Sequence, residues 1–297
     1  MNETTTIKAY KGFDKNMKCR GIQYEVGQTY HKEGLVKVCE SGFHACENPL
    51  DIWIYYGPCD SVFAAVEVSG TVSRTSEDSK IAAATLTVKE KLTLGDFISA
   101  SVKWILNACK DKMQVATSGY SKRAASGYNS QLAASGYNSQ LAASGDNSQL
   151  AASGDNSKLA ASGYNSQLAA SGDNSKLAAS GDNSKLAASG YNSQLAASGD
   201  NSKLAASGDN SKLAASGDNS KLAASGYNSK LAASGSHSVA AAIGPESIAS
   251  AGPGGWIVLA YYGDGKPTHV RAGKIGVDGL KPNTPYRLNE KGEFVEN

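Results

Sequence analysis

Hydrophobic and polar positions give the chain three textures, and the middle one is periodic. From about Ser126 to Ile243 the phrase Ala-Ala-Ser-Gly-(Asp/Tyr)-Asn-Ser-(Lys/Gln)-Leu recurs with little change. Its glycines fall nine apart from Gly127 to Gly244, with looser copies at Gly119 and Gly252. A fixed short period means one structural unit stacked on itself. A helix does not accommodate it. Nine residues span two and a half helical turns, so successive leucines would alternate between opposite faces. Strand alternation does accommodate it. In Ser148-Gln149-Leu150-Ala151-Ala152, the Ser, Leu and second Ala share one face, and Gln149 and Ala151 share the other. Ser-Gly-Asp-Asn then supplies a turn, with Gly tolerating positive φ and Asp or Asn closing the turn through its side chain.

These features predict a mainly β protein built on a parallel β-solenoid, or β-roll, with two nonapeptides in each 18-residue coil. Leu and Ala face inward, and Lys or Gln outward. At about 4.8 Å per coil, the span from Gly119 to Gly252 gives about seven coils, roughly 35 Å long. Identical Asn residues in register are placed to form ladders. A triangular coil of three units is the rival geometry, and the tyrosines separate the two. Two units per coil put Tyr128 and Tyr164 on one edge and Tyr137, Tyr191 and Tyr227 on the other. Three per coil would stack 137, 164 and 191 in one column. Disorder is the remaining alternative for a low-complexity stretch, but a coil gives no reason for so strict a register of Leu and Gly.

The flanks have ordinary globular patterning, which divides the chain into an α+β N-terminal domain (1–115), the solenoid (116–252) and a small β-rich C-terminal cap (253–297). In the first, residues 7–13, 21–30, 35–39, 61–72 and 80–88 read as strands. Asn48-Pro49 reads as a helix start, leading into a short helix over 52–56. Thr93-Leu94-Gly95-Asp96 resembles a capping box, and Leu94, Phe97, Ile98, Val102, Ile105 and Cys109 then form one helical face. In the cap, residues 256–262 and 269–275 read as strands about a Gly263-Asp264-Gly265 turn. Residues 286–288 and 293–295 form a hairpin about 289–292. Such a β element can close the last coil, whose open edge would invite aggregation.

Charge narrows the function. The whole chain carries a net charge of +2. Between Gly127 and Gly235 seven Asp and seven Lys cancel. Nucleic-acid binding needs a basic excess, so no direct nucleic-acid contact is expected. Five cysteines, all before the array, with no apolar leader at the N-terminus, lead to an expectation of reduced thiols and a cytoplasmic location in a host cell. No apolar run is long enough to span a bilayer, so no membrane association is expected. Calcium-binding nonapeptides need Asp in every turn and closely spaced glycines. Here Tyr replaces Asp at five positions and each unit has one Gly, so no metal or other cofactor is expected.

The N-terminal domain offers three kinds of candidate chemistry. Cys39-x4-His44-x-Cys46 supplies three metal-ligand types, but it matches no paired zinc spacing and lacks a fourth ligand. A cysteine beside His44 could act as a nucleophile, a weak signal from sequence neighbourhood alone. Tyr10-Lys11-Gly12, Gly42-Phe43-His44-Ala45 and Tyr55-Tyr56 loosely resemble the early elements of ADP-ribosyltransferases. That resemblance implies an Arg or His where Tyr10 stands and a late-strand Glu, for which Glu67 is the candidate. Because the first position departs from the pattern, no catalytic residue is assigned and the chain is read as a non-enzyme.

Two further resemblances concern the array and the flanks. Ser236-His237-Ser238-Val239-Ala240 and the following residues resemble, distantly, the β-roll heads of trimeric autotransporter adhesins. Ala9-Tyr10-Lys11-Gly12-Phe13, Cys39-Glu40-Ser41-Gly42-Phe43-His44-Ala45-Cys46, Asn48-Pro49-Leu50-Asp51, Trp256-Ile257-Val258-Leu259 and Tyr286-Arg287-Leu288 resemble a phage- and prophage-encoded repeat-protein family of no established activity. The resemblance implies a phage setting. The expectation is therefore a binding protein, most concretely a counter-defence inhibitor of a host protein complex, with possible homo-oligomerisation. A virion spacer and an ADP-ribosyltransferase-like enzyme are the alternatives. Tyr128, Tyr137, Tyr164, Tyr191 and Tyr227 are the expected partner-binding residues.

Overall fold

A computed structural model describes residues 6–75, 78–109 and 121–297, with the backbone alone at 102 and 105–109. It has two compact units, Met1–Trp104 and Ile105–Asn297. Expectations that rest on Gly119, or on the side chains of Val102, Ile105 and Cys109, lie outside the described residues.

In the first unit (the head), seven strands precede a helix: β1 (Ile7–Phe13), β2 (Lys18–Cys19), β3 (Ile22–Gln23), β4 (Thr29–His31), β5 (Phe43–Cys46), β6 (Val62–Arg74) and β7 (Lys80–Leu92). Strands β4, β7, β5, β1 and β6 form one sheet in that order, and β6 also pairs with β7, so the sheet closes on itself. Every pairing in it is antiparallel. Inward alternation fills it with Ala9, Phe13, Phe43, Ala45, Val66, Val68 and Leu86. The Asn48-Pro49 start is real. Asn48 Oδ1 accepts the Leu50 amide at 3.2 Å, and Pro49 opens a 3-10 helix that runs only to Ile54. Helix α1 (Leu94–Cys109) begins on a reciprocal cap. The Asp96 amide donates to Thr93 Oγ1 at 3.1 Å, and the Thr93 amide donates to Asp96 Oδ2 at 3.1 Å. Trp53 stacks on Phe97 at 5.6 Å, and Phe63 meets the same ring at 4.3 Å.

Two sequence expectations need correction here. Residues 35–39 are not a strand: Lys37 makes an isolated bridge to Ser41 around a tight turn that puts Cys39 at φ 68°. Residues 21–30 carry only the short β3 and β4. The strand that sequence reading missed is β5, the Phe-His-Ala-Cys segment, which lies between β1 and β7.

In the second unit, fifteen four-residue strands from β8 (Lys122–Ala125) to β22 (Ile248–Ala251) start every nine residues. Each from β8 to β21 pairs in parallel with the strand two further on, as in Leu177↔Leu195↔Leu213, so a coil has 18 residues. Even-numbered strands form one sheet and odd-numbered strands the other. This is the two-unit coil. The structure has eight coils where about seven were expected, because β23 (Trp256–Gly263) pairs in parallel with β21 (Val239–Ala242) and completes the last one. Eight coils stack to about 38 Å. Strand β24 (Lys266–Lys274) then turns back on β23 through Asp264 and Gly265, both at positive φ, as a tight hairpin requires. Strands β25 (Tyr286–Leu288) and β26 (Phe294–Glu296) extend the other sheet from β22. No helix among the described residues is long and apolar enough to cross a membrane.

The core of the coil is narrow, and the Leu, Ser, Asn and Gly of the repeat each serve it differently. The leucines from Leu141 to Leu231 are at most 2% exposed. Burial of such a side chain stabilises by about 1.5–3 kcal/mol. From Ser139 to Ser229 the buried Ser of each unit donates its hydroxyl to the Gly carbonyl three residues earlier, at 2.6 Å for Ser139 and 2.7 Å for Ser202, which satisfies a polar group with no access to water. The residue at positive φ is Asn, at 52° to 57° from Asn129 to Asn228, and not Gly. That corrects the turn expected from sequence. Asn is one of the few side chains that visits this region at little cost. Glycine serves another purpose: each solenoid Gly from Gly145 onward rests on the backbone of the coil before it. A Cβ at Gly190 would lie 2.5 Å from the Gly172 carbonyl carbon. The Asn ladders form, with Asn192 Nδ2 donating to Asn174 Oδ1 at 2.9 Å and Asn228 Nδ2 to Asn210 Oδ1 at 2.7 Å.

Candidate functional site

Two places in the molecule carry chemistry not consumed by folding, one in each unit.

In the head, β1, the loop through β2, the 37–41 turn, β5 and the residues after the 3-10 helix surround a cavity of about 800 Å3. Tyr10, Gly12, His44, Tyr55 and Tyr56, which the sequence offers in three separate segments, all line it. Gly12 is what lets Tyr56 lie on β1, since a Cβ there would meet the Tyr56 ring at 2.6 Å. Lys11 occupies an inward position of β1 between Ala9 and Phe13 and is 4% exposed. Its Nζ donates to the His44 carbonyl at 2.9 Å and to Cys19 Sγ at 3.5 Å, and lies 5.5 Å and 5.4 Å from the Phe13 and Tyr24 ring centroids. Burial pulls its ammonium below the usual lysine range, against the opposing pull of Cys19. Tyr56 Oη also donates to Cys19 Sγ, at 3.0 Å. Burial and that bond raise the Tyr56 phenol.

His44 is half-buried, and its Nε2 accepts the Cys39 amide at 3.0 Å. Burial, with Arg20, Lys11 and Lys80 nearby, pulls its pKa down to about 4, so the ring is neutral near pH 7. The nitrogen that a metal would need is thus held by backbone. Among the described residues no three His, Cys, Asp or Glu side chains gather to hold an ion. Tyr55 Oη donates to Asp78 Oδ2 at 2.6 Å and accepts from Lys80 Nζ at 2.9 Å. Burial and the Asp78 bond push its phenol up to about 12. Burial opposes the charge on Lys80, but its bonds to Tyr55 and Cys39 win and raise it. Glu67 does not line the cavity. It sits on β6 opposite Lys8 and pairs with Lys89 Nζ at 3.1 Å. Lys11 and Cys19 are the pair sequence reading missed. A lysine at an inward strand position is the signal that could have found them.

In the array, the five tyrosines occupy the turn position otherwise held by Asp. All are exposed: Tyr128 77%, Tyr137 61%, Tyr164 48%, Tyr191 52% and Tyr227 49%. The 18-residue register puts Tyr128 and Tyr164 on one edge and Tyr137, Tyr191 and Tyr227 on the other, with Asp filling the turns between them on each edge. The Asp residues are tied into the frame. In each of the seven, Oδ1 accepts the amide of the residue one coil on, as from Tyr164 to Asp146 at 2.8 Å and from Asp218 to Asp200 at 2.8 Å. Tyr227 faces Pro245, which has no amide to satisfy. Ala151, Ala169, Ala187 and Ala205 on the odd-numbered strands are exposed. Together with Gln149 and Lys203 these line a shallow groove of about 1070 Å3.

Residues 7–100 match the model of a domain of unknown function, DUF7666. No curated protein and no solved structure matches the chain.

Proposed function

We propose that this chain is a non-enzymatic binding protein that holds a protein partner along the tyrosine-bearing edges of its solenoid. The observation that carries this reading is the contrast within one turn position. Asp there closes a bond to the next coil, whereas Tyr leaves its ring exposed and free of any role in the frame. Tyrosine suits protein interfaces because it adds large contact area at small entropic cost and offers a hydroxyl. Tyr128 and Tyr164 lie two coils apart, about 10 Å, and Tyr137 and Tyr191 three coils apart, about 14 Å. Rigid stacking fixes those spacings before a partner arrives, which limits the ordering lost on binding.

The more specific reading takes the partner to be a host protein complex that the chain inhibits during phage infection. It is supported by the resemblance of the two flanks to phage-encoded proteins. The test uses the repeat's own alternative residue. A chain with Asp in place of all five tyrosines keeps the frame, since Asp already occupies that turn in seven units. Expected is full loss of the complex captured from bacterial lysate by the native chain, with unchanged thermal unfolding. Capture that persists without the tyrosines sinks the proposal. A spacer role instead predicts a stable oligomer by light scattering and no host partner.

A second reading, an ADP-ribosyltransferase-like head, is favoured by one observation: Tyr10, His44, Tyr55 and Tyr56 meet in a single cavity. Against it stands Glu67, which lies away from that cavity and is paired with Lys89. Transfer of label from NAD that Tyr10→Ala abolishes would establish the enzyme and displace the binding protein.

A further inference from the structure

The head cavity holds an amine and a thiol in contact at its floor, and the binding reading above gives them no role. Lys11 Nζ lies 3.5 Å from Cys19 Sγ, and Tyr56 Oη donates to the same sulfur at 3.0 Å. Cys19 is partly exposed and lines a cavity of about 800 Å3, which gives a small solute a path to it. The amine is not: Lys11 is 4% exposed, and its other partner is the His44 carbonyl. Among the described residues that line the cavity, Glu40 is the one acid, and it is paired with Lys37. Burial favours the neutral amine, the form that has a lone pair to give. Cys46, also on the cavity wall, is buried, and Cys59 is not part of it.

We propose that Lys11 and Cys19 are a modification site for hydrogen peroxide, at which oxidation of the thiol is trapped as a covalent sulfur–nitrogen bond. In the first step the sulfur attacks one peroxide oxygen. The O–O bond breaks, sulfenic acid forms at Cys19 and water leaves. In the second step the Lys11 nitrogen attacks that sulfur. The S–N bond forms, the S–O bond breaks, and the oxygen leaves as water with a proton from the nitrogen. One peroxide is reduced to water by two electrons from sulfur, and two waters are produced in all. The product is a sulfenamide joining β1 to β2. A buried amine 3.5 Å away is closer to the sulfur than any second peroxide, which favours the trapped bond over further oxidation to sulfinic acid.

The experiment treats the full chain with hydrogen peroxide, blocks remaining thiols by alkylation, digests with trypsin and reads the peptides by mass spectrometry. Expected is the 9–15 peptide joined to the 19–20 dipeptide, two hydrogens lighter than their sum and released by dithiothreitol. Lys11→Met, which keeps an unbranched chain in the same place, is expected to abolish the cross-link and let Cys19 proceed to sulfinic acid. Circular dichroism reports that this variant is folded. Three outcomes each overturn the proposal: Cys19 unreacted, Cys19 carried to sulfinic acid in the native chain, or Cys19 in a disulfide with Cys39 or Cys46. A cross-link that survives in Lys11→Met does so as well.

Discussion

Replacing Gly190 with Ala tests the view that the repeat's glycine is there for contact between coils. The added Cβ would lie 2.5 Å from the Gly172 carbonyl carbon and 2.8 Å from the Asp173 nitrogen, with the Gly172 oxygen nearer still. Carbon atoms sit comfortably at about 3.5–4.0 Å, so the two coils must part by about 1 Å at that edge. Three bonds cross the edge: the Asn174 amide to the Tyr191 carbonyl at 2.8 Å, the Tyr191 amide to Asp173 Oδ1 at 2.8 Å, and Asn192 Nδ2 to Asn174 Oδ1 at 2.9 Å. A further ~1 Å takes all three beyond hydrogen-bonding range. At about 1 kcal/mol net for each, the loss is about 3 kcal/mol. Gly127→Ala is the control, because it lies in the first coil, where among the described residues the nearest atom to the new Cβ is Ser130 Oγ at 3.9 Å. There the substitution is expected to stabilise slightly, by about 0.4–1 kcal/mol, through the unfolded chain. Repeats couple mainly to their neighbours, so the effect is local. Hydrogen exchange followed by mass spectrometry should show faster uptake in peptides covering residues 172–192 of Gly190→Ala and none in Gly127→Ala. Equal uptake in the two variants would refute the stacking account.

Other expectations follow from the same geometry. Asp200→Ala removes the acceptor of the Asp218 amide and should destabilise the array by about 0.5–1.5 kcal/mol, measured by urea unfolding. Gly12→Ala drives a Cβ into the Tyr56 ring and should destabilise the head by about 1–3 kcal/mol, seen as a lower Tm. His44 titrates at about 4 when folded against 6.5 unperturbed, so the unfolded chain takes up its proton first as pH falls. Its share of head stability is therefore full above about pH 6.5 and declines down to about pH 4. His44→Gln, which still offers the Cys39 amide an acceptor, should flatten that part of the melting profile relative to the native chain.

The array was legible because its signal repeats. Leucine at every ninth residue excluded a helix, whereas the choice of two units per coil over three came from the strand register. The division of labour between Gly and Asn was not legible. Either residue can take positive φ, and only the stacked backbones reveal which position leaves no room for a Cβ. In the head, β1, the Asn48 cap and the Thr93–Asp96 box followed from local rules. Strand β5 was hidden because its Cys and His drew a chemical reading. The meeting of Lys11 with Cys19 depends on a chain reversal between Asp14 and Lys18 with Met17 at positive φ, which no local pattern marks.

The 18-residue register has a consequence for how such a gene can change length. Adding or deleting one nonapeptide hands every later strand to the opposite sheet, and β23 would arrive on the side where β22 now leads into β25. Adding or deleting two restores each strand to its own sheet and leaves both ends of the array as they were. The fold tolerates only the even steps, so working versions of this array should differ by multiples of eighteen residues.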